Sequence, residues 1–167
     1  MKTETLVSGF TRQETANLCD VLPSRLSYLD RTGLIVPQKF GNPKKPSVFY
    51  SFQQILEIKA IAKLREETSL QTVRKIIEFL EKHADNPSLV VNDILVINGE
   101  VFWYNPSLID DFVVQIKSKI GGNEGQICSV EILRIPSLDA LKGEVIELAR
   151  KTDKVDFASF KERAMIA

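Results

Sequence analysis

The stretch TRQETANLCDVLPSRLSYLDRTG, residues 11–33, predicts two short helices joined by a tight turn. Thr11 and Glu14 have the spacing of a capping box, in which a hydroxyl and a carboxylate satisfy unpaired amides at a helix start. Pro23 fits the first position of a second helix, where its missing N–H costs nothing. Gly33 follows that helix at the position that favours a left-handed backbone. Two helices this close together have the outline of a helix-turn-helix.

The residues after Gly33 predict a small β-hairpin, or wing, followed by two helices. Short β-prone segments flank a tip with the sequence GNPKKP, residues 41–46, which breaks helices. Two further capping boxes, Ser51 to Gln54 and Thr68 to Gln71, each open a segment whose apolar residues keep helical spacing. The first half of the chain therefore reads as mostly helical with a short β wing.

The second half has a different pattern, which begins near Asn86-Pro87. Residues 89–97 are apolar and β-branched, Asn98-Gly99 is a strong hairpin signal, and residues 101–104 continue as the return strand. Residues 107–120 are predicted as helical or mixed, and residues 121–125 as a glycine-rich turn. A third strand is predicted at 126–135, and two helices at 138–150 and 157–165. The predicted class is α+β, with a winged helix-turn-helix domain over residues 1–83 and a mixed α/β region over residues 84–167.

Composition and motifs argue against several classes of protein. The chain has 167 residues, 44% hydrophobic and 26% charged, which is ordinary for a globular protein. No apolar run reaches the length that spans a bilayer, and residues 1–10 lack a secretory core, so we expect a cytoplasmic protein without membrane contact. Two cysteines, Cys19 and Cys128, and one histidine argue against a disulfide scaffold or a zinc site. No phosphate loop or nucleophile elbow occurs, so we expect no enzyme, no metal and no cofactor.

The net charge of zero conceals an asymmetry between the two halves. Residues 1–83 contain 13 Lys and Arg against 9 Asp and Glu, whereas residues 84–167 contain 9 against 13. Between Arg25 and Pro46 there are five cations and one acid. Such asymmetry hints at nucleic-acid contact by the basic half.

The stretch from Phe10 to Leu80 resembles the DNA-binding domain of the MerR superfamily of bacterial transcription regulators. The resemblance rests on the order and spacing of four motifs, which are Phe10-Thr11, Leu22-Pro23-Ser24-Arg25-Leu26, Tyr28-Leu29-Asp30-Arg31-Thr32-Gly33-Leu34-Ile35 and Phe49-Tyr50-Ser51-Phe52-Gln53-Gln54-Ile55. The chain departs from the family in having Ser27-Tyr28 where an arginine-tyrosine pair is common. It also has lysines at the wing tip, and no long dimerisation helix follows the fourth helix.

The resemblance implies a dimeric regulator that binds double-stranded DNA through residues 1–83, with residues 84–167 serving for dimerisation or for binding an effector or partner. The second helix would enter the major groove, and the wing would grip the phosphate backbone. The candidate DNA-binding residues are Arg12, Ser24, Arg25, Tyr28, Arg31, Lys39, Lys44 and Lys45. Further candidate partners are RNA polymerase, a small-molecule effector and a partner protein.

Three alternatives stay open at this point. The chain could instead be an antitoxin-like module that neutralises a partner protein and autoregulates through its DNA-binding head. The aromatic cluster Phe102, Trp103 and Tyr104 could line a ligand or partner surface, although alternation along a strand favours core packing on one side and a subunit contact on the other. The charged residues named above could also be ordinary solvated surface.

Overall fold

The computed structural model describes residues 8–97, 100–104, 113–117, 132–134 and 138–166. Within these ranges the chain forms six helices and two antiparallel sheets, so the predicted α+β class is confirmed. None of the helices in these ranges combines the length and the apolar content that crossing a bilayer would require.

Contacts within the chain divide it into two compact units. The first unit combines the described residues up to Lys59 with those from Leu141 onward, and the second extends from Ala60 to Ala140. These bounds differ from the predicted division at residues 83 and 84, because residues 60–83 belong to the second unit and residues from 141 onward belong to the first. The assignment of separate functions to the two predicted domains stays a prediction.

The first predicted helix, α1, spans Arg12–Cys19 and begins with the predicted capping box. The Glu14 N–H donates to the Thr11 hydroxyl at 3.2 Å, and the Thr11 N–H donates to the Glu14 carboxylate at 2.9 Å. Ala16, Leu18 and Cys19 face the core, as their spacing predicts. The helix start is therefore determined by local chemistry.

The second helix, α2, spans Pro23–Arg31 and ends at the predicted glycine. Gly33 has φ of +74°, in the left-handed region, and its N–H donates to the Asp30 carbonyl at 3.0 Å. The Leu34 N–H donates to the Leu29 carbonyl at 3.0 Å. Together these two bonds form a Schellman motif, which satisfies carbonyls at the helix end. The predicted helix-turn-helix is confirmed.

The wing is an antiparallel hairpin of β2, Gln38–Phe40, and β3, Ser47–Tyr50. A short strand β1, Phe10–Thr11, pairs with the other edge of β3, which gives a sheet of order β1-β3-β2. The tip is held by Asn42, whose carbonyl oxygen accepts from the Lys45 N–H at 3.0 Å and whose side-chain oxygen accepts from the Lys44 N–H at 2.9 Å. The predicted wing is therefore present.

Two longer helices follow, α3 at Phe52–Glu67 and α4 at Leu70–His83. The capping box at α3 is confirmed, with both bonds between Ser51 and Gln54 at 3.1 Å. The predicted box at Thr68 is wrong by one residue, since the residue that caps α4 is Ser69, which accepts from the Thr72 N–H at 3.2 Å. The physical reason is that the Thr68 N–H still donates to the Leu64 carbonyl at 2.9 Å and so completes α3.

The second unit contains a four-stranded sheet of order β6-β5-β4-β7. Its strands are β4 at Asp93–Ile97, β5 at Glu100–Tyr104, β6 at Val113–Lys117 and β7 at Ile132–Arg134. The predicted hairpin is present, but its first strand begins at Asp93, because residues 89–91 form a turn in which the Val91 N–H donates to the Ser88 carbonyl at 3.3 Å. Its turn at residues 98–99 and the predicted turn at 121–125 lie outside the described residues. The expectation of a helical or mixed segment at 107–120 is wrong for 113–117, where the β-branched sequence VVQIK forms a strand.

Two helices end the described chain, α5 at Leu138–Lys151 and α6 at Phe157–Ile166, close to the predicted ranges. Phe160 of α6 is only 1% exposed. Its ring lies 5.8 Å from that of Phe10 and 6.0 Å from that of Phe52. Offset and edge-to-face aromatic contacts of this kind stabilise beyond the area that they bury. The core of the first unit is therefore built from both ends of the chain.

Candidate nucleic-acid interface

Helix α2 presents a polar side outward and buries the opposite side. Leu26 and Leu29 are 0% and 1% exposed, whereas Ser24 and Arg25 in the first turn are exposed. Three- and four-residue spacings place Tyr28 and Arg31 on the same outward side, one and two turns further along. The arrangement leaves the start of the helix accessible to a partner while the buried leucines fix its orientation.

Tyr28 and Arg31 contact each other on that outward side. The Arg31 guanidinium lies 5.6 Å from the centre of the Tyr28 ring, within the range of a cation–π interaction. Tyr28 is half-buried and Arg31 is exposed. The stacking restricts both side chains to the outer surface of α2, with the guanidinium free to face a phosphate.

Lys39 of the wing pairs with Asp30 of α2. The Lys39 ammonium lies 2.7 Å from one carboxylate oxygen of Asp30 and 2.8 Å from the other. This ion pair joins strand β2 to the C-terminal part of α2 and occupies the ammonium of Lys39, one of the predicted DNA contacts. Lys39 therefore holds the wing beside α2 through this ion pair.

Lys44 and Lys45 are exposed at the tip of the wing. Their backbone amides are held by Asn42, while their side chains extend from a turn bounded by two prolines. Gly41, with φ of +85°, supplies the left-handed residue at the start of this turn. The tip therefore displays two cations on a short, ordered loop, which is the geometry that a backbone-gripping wing needs.

Arg12 occupies a different environment from the other predicted contacts. It is half-buried at the start of α1, and its Nε and the Tyr50 hydroxyl have no hydrogen-bond partner among the described residues. Burial raises the pKa of the Tyr50 phenol, and the neighbouring Arg12 guanidinium partly opposes that rise. Arg12 thus lies beside a core tyrosine of the wing, and its predicted DNA contact stays a prediction.

Sequence analysis missed a salt bridge between the two ends of the chain. Arg163 of α6 donates to both carboxylate oxygens of Glu14, at 2.8 and 3.1 Å, and to the Gly9 carbonyl at 3.2 Å. Its guanidinium also lies 4.3 Å from the centre of the Phe10 ring. Glu14 is the residue that completes the capping box of α1, so α6 contacts the helix-turn-helix in the first turn of α1. The only sequence signal was that Glu14 and Arg163 are oppositely charged.

The Glu14 carboxylate is ionised more readily than an exposed glutamate. Burial raises its pKa, but the hydrogen bonds and charge of Arg163, together with the bonds to Thr11, outweigh burial and lower the pKa overall. Side-chain exposures of 17% for Arg163 and 19% for Glu14 leave the pair weakly screened by solvent. The charged form is therefore the one that the folded state favours.

The aromatic cluster of β5 divides between two faces of the sheet. Trp103 is 5% exposed, its ring lies 5.6 Å from that of Phe79 in an edge-to-face contact, and its Nε1–H donates to the Asn92 side-chain oxygen at 3.1 Å. Phe102 and Tyr104 point to the opposite face and are half-buried. Trp103 is therefore part of the core of the second unit, and the predicted ligand or partner contact rests on Phe102 and Tyr104.

The described residues contain no group of three or more His, Cys, Asp or Glu placed to hold a metal ion. Burial raises the pKa of the Cys19 thiol to about 12, so this thiol stays protonated. Lys59, which is 8% exposed, donates to the Cys19 carbonyl at 3.5 Å and lies 3.5 Å from the Glu144 carboxylate. Through these two contacts Lys59 of α3 bridges the end of α1 and the half-buried Glu144 of α5. The absence of a metal or cofactor stays a prediction.

A comparison with protein families found a match over the first part of the chain. Residues 10–80 match the family described as MerR HTH family regulatory protein, a range that covers less than half of the chain. The range contains α1, α2, the wing, α3 and most of α4, and it confirms the resemblance stated above. A comparison with curated proteins gave no match.

Proposed function

We propose that this chain, whose residues 10–80 form a MerR-type helix-turn-helix domain, reads a specific sequence of double-stranded DNA as a homodimer. The domain supports a DNA-binding transcription regulator, and sequence specificity and dimerisation are the finer parts of the proposal. The proposal places the protein in the cytoplasm, where a bacterial regulator meets its DNA. It includes no catalytic step.

The observation that carries the proposal is that α2 and the wing each expose cationic side chains on the surface of the first unit. Arg25 is exposed in the first turn of a helix that is anchored by two buried leucines, and the wing displays Lys44 and Lys45 on an ordered tip. Arginine suits bidentate contact with guanine, whereas lysines at a tip suit the phosphate backbone. One helix that reads bases and one loop that grips phosphates are the two parts that specific binding requires.

The test compares Arg25→Ala with the double variant Lys44→Ala/Lys45→Ala on a selected operator and on a scrambled duplex. Arg25→Ala should weaken operator binding by about 1–3 kcal/mol and relax the preference at one base pair. The lysine variant should weaken binding to both duplexes similarly and reduce the salt slope by roughly one to two per monomer. Val36→Ala, another exposed position of this unit, serves as the control and should leave both affinities unchanged.

Unchanged affinities in both variants, each shown to be folded, would contradict the assignment of α2 and the wing. That outcome would favour the alternative in which the chain neutralises a partner protein. The dimer is tested separately by sedimentation of the full chain, because residues 141–166 belong to the compact unit of the helix-turn-helix and a fragment 84–167 would divide that unit. A monomer at all concentrations that saturate DNA would contradict the dimer.

A further inference from the structure

We infer that Leu22, at the start of α2, is a specificity-determining residue that contacts a thymine methyl group in the major groove; the inference rests on the proposed function. Leu22 is 73% exposed, the largest exposed fraction of any large hydrophobic side chain in the described ranges. It immediately precedes Pro23, Ser24 and Arg25, so it lies at the end of the helix that the proposal directs into the groove.

The position of Leu22 makes its side chain unfavourable for the protein alone. Leu22 is the N-cap residue of α2, and its side chain makes no capping hydrogen bond. Serine, threonine, aspartate and asparagine are preferred at this position because their oxygen atoms accept from the first free amides. The cap of α1, Thr11, makes such a bond. Leucine at the cap of α2 therefore gives up a stabilising bond and leaves an apolar side chain in water.

The major groove of DNA offers an apolar contact for the Leu22 side chain, which is exposed to water in the protein alone. Thymine presents a C5 methyl group at the edge of the major groove, and apolar side chains recognise it by contact. Ser24 and Arg25 are exposed and polar, so Leu22, followed by the exposed Pro23, places an apolar side chain beside two hydrogen-bonding ones at the helix start. A leucine that is buried only when DNA binds contributes affinity at thymine and none at cytosine, which has no methyl group.

The experiment replaces thymines of the selected operator one at a time with deoxyuridine, which removes the methyl group and keeps the base pairing. At one thymine in a half-site the wild-type full-length protein should lose about fourfold in affinity, the equivalent of one buried methyl-sized group. Leu22→Ala should bind the thymine and uracil operators equally at that position. Val36→Ala, another exposed apolar position of the same unit, is the matched control and should keep the fourfold difference.

A second variant separates recognition from stability. Leu22→Asn restores a capping side chain, so its unfolding midpoint should rise in urea while its discrimination between thymine and uracil disappears. The inference is overturned if no thymine shows the wild-type loss, or if Leu22→Ala or Leu22→Asn discriminates as the wild type does. If the wild-type protein binds no duplex selectively, the proposed function fails, and that result differs from selective binding without sensitivity to the methyl group.

Discussion

Replacing Arg163 by alanine should destabilise the first unit, although Arg163 lies 149 residues from its partner Glu14. The substitution removes two hydrogen bonds to the Glu14 carboxylate, one to the Gly9 carbonyl and the contact with the Phe10 ring. It also leaves a carboxylate that is 19% exposed without its counter-charge. Hydrogen bonds to charged groups contribute about 1.5–3 kcal/mol each, and breaking a fully buried pair costs about 3–5 kcal/mol.

Because both side chains keep some exposure and Glu14 keeps its bond from the Thr11 N–H, we expect a loss of about 2–3 kcal/mol in the free energy of unfolding. The assay is urea unfolding of the full-length chain, followed by far-ultraviolet circular dichroism. A double-mutant cycle with Glu14→Gln should show a coupling energy of about 1–2 kcal/mol, since the two substitutions remove the same interaction.

Arg150 supplies the matched control, because it also lies in the C-terminal helices and also pairs with a glutamate. Its partner Glu147 is three residues away, the distance is 3.1 Å, and both side chains are more than half exposed. Exposed pairs of this kind contribute about 0–1 kcal/mol. A loss for Arg163→Ala no larger than that for Arg150→Ala, or a coupling energy near zero, would refute the view that α6 supports the helix-turn-helix.

Three further predictions concern pH, a turn and the second unit. Because the folded state lowers the pKa of Glu14, the stability from its pair with Arg163 is present above the ordinary glutamate pKa and is lost as pH falls through the lowered value. Glu14→Gln should therefore make the urea unfolding midpoint depend less on pH in the acid range. An unchanged dependence would contradict this prediction. Gly33→Ala should lower the free energy of unfolding by about 1–2 kcal/mol because φ is +74° at that residue. Gly143→Ala, within α5, is the control and should be neutral or stabilising. Equal effects of the two variants in urea unfolding would contradict the Schellman motif at the end of α2. Asn92→Ala removes the acceptor of the Trp103 indole N–H and the donor to the Asn86 and Ser88 carbonyls. The free energy of unfolding should fall by about 1–3 kcal/mol, measured in urea by the fluorescence of the single tryptophan. An unchanged free energy of unfolding would exclude that contribution.

Local chemistry explains why part of the structure could be predicted from sequence. The capping boxes at Thr11 and Ser51 and the glycine at position 33 each encode a hydrogen-bonding arrangement within a few residues, so the helix ends followed from the sequence. The Thr68 prediction failed because Thr68 and Ser69 are both good caps, and the choice between them depends on where α3 ends. Short-range patterns do not encode that competition.

Long-range contacts explain what could not be predicted. The ion pairs Glu14–Arg163 and Lys39–Asp30 form only when folding brings α1 beside α6 and the wing beside α2. The charge of a residue does not show which oppositely charged residue becomes its partner. The exposure of Arg25, Lys44 and Lys45 agrees with the predicted site, and their contact with DNA stays a prediction. The 73% exposure of Leu22 could not be predicted either, because the packing around an apolar residue decides whether it is buried.

The most direct test of the central claim is selection of bound duplexes from a random DNA pool, with wild-type protein and Arg25→Ala in parallel. A helix-turn-helix dimer should enrich an inverted repeat whose half-sites are spaced by about one turn of DNA or a multiple of it. The Arg25 variant should enrich the same repeat with the preference lost at one position in each half-site. Enrichment of no sequence by the folded wild-type protein, or an identical preference at every position in both proteins, would contradict the account.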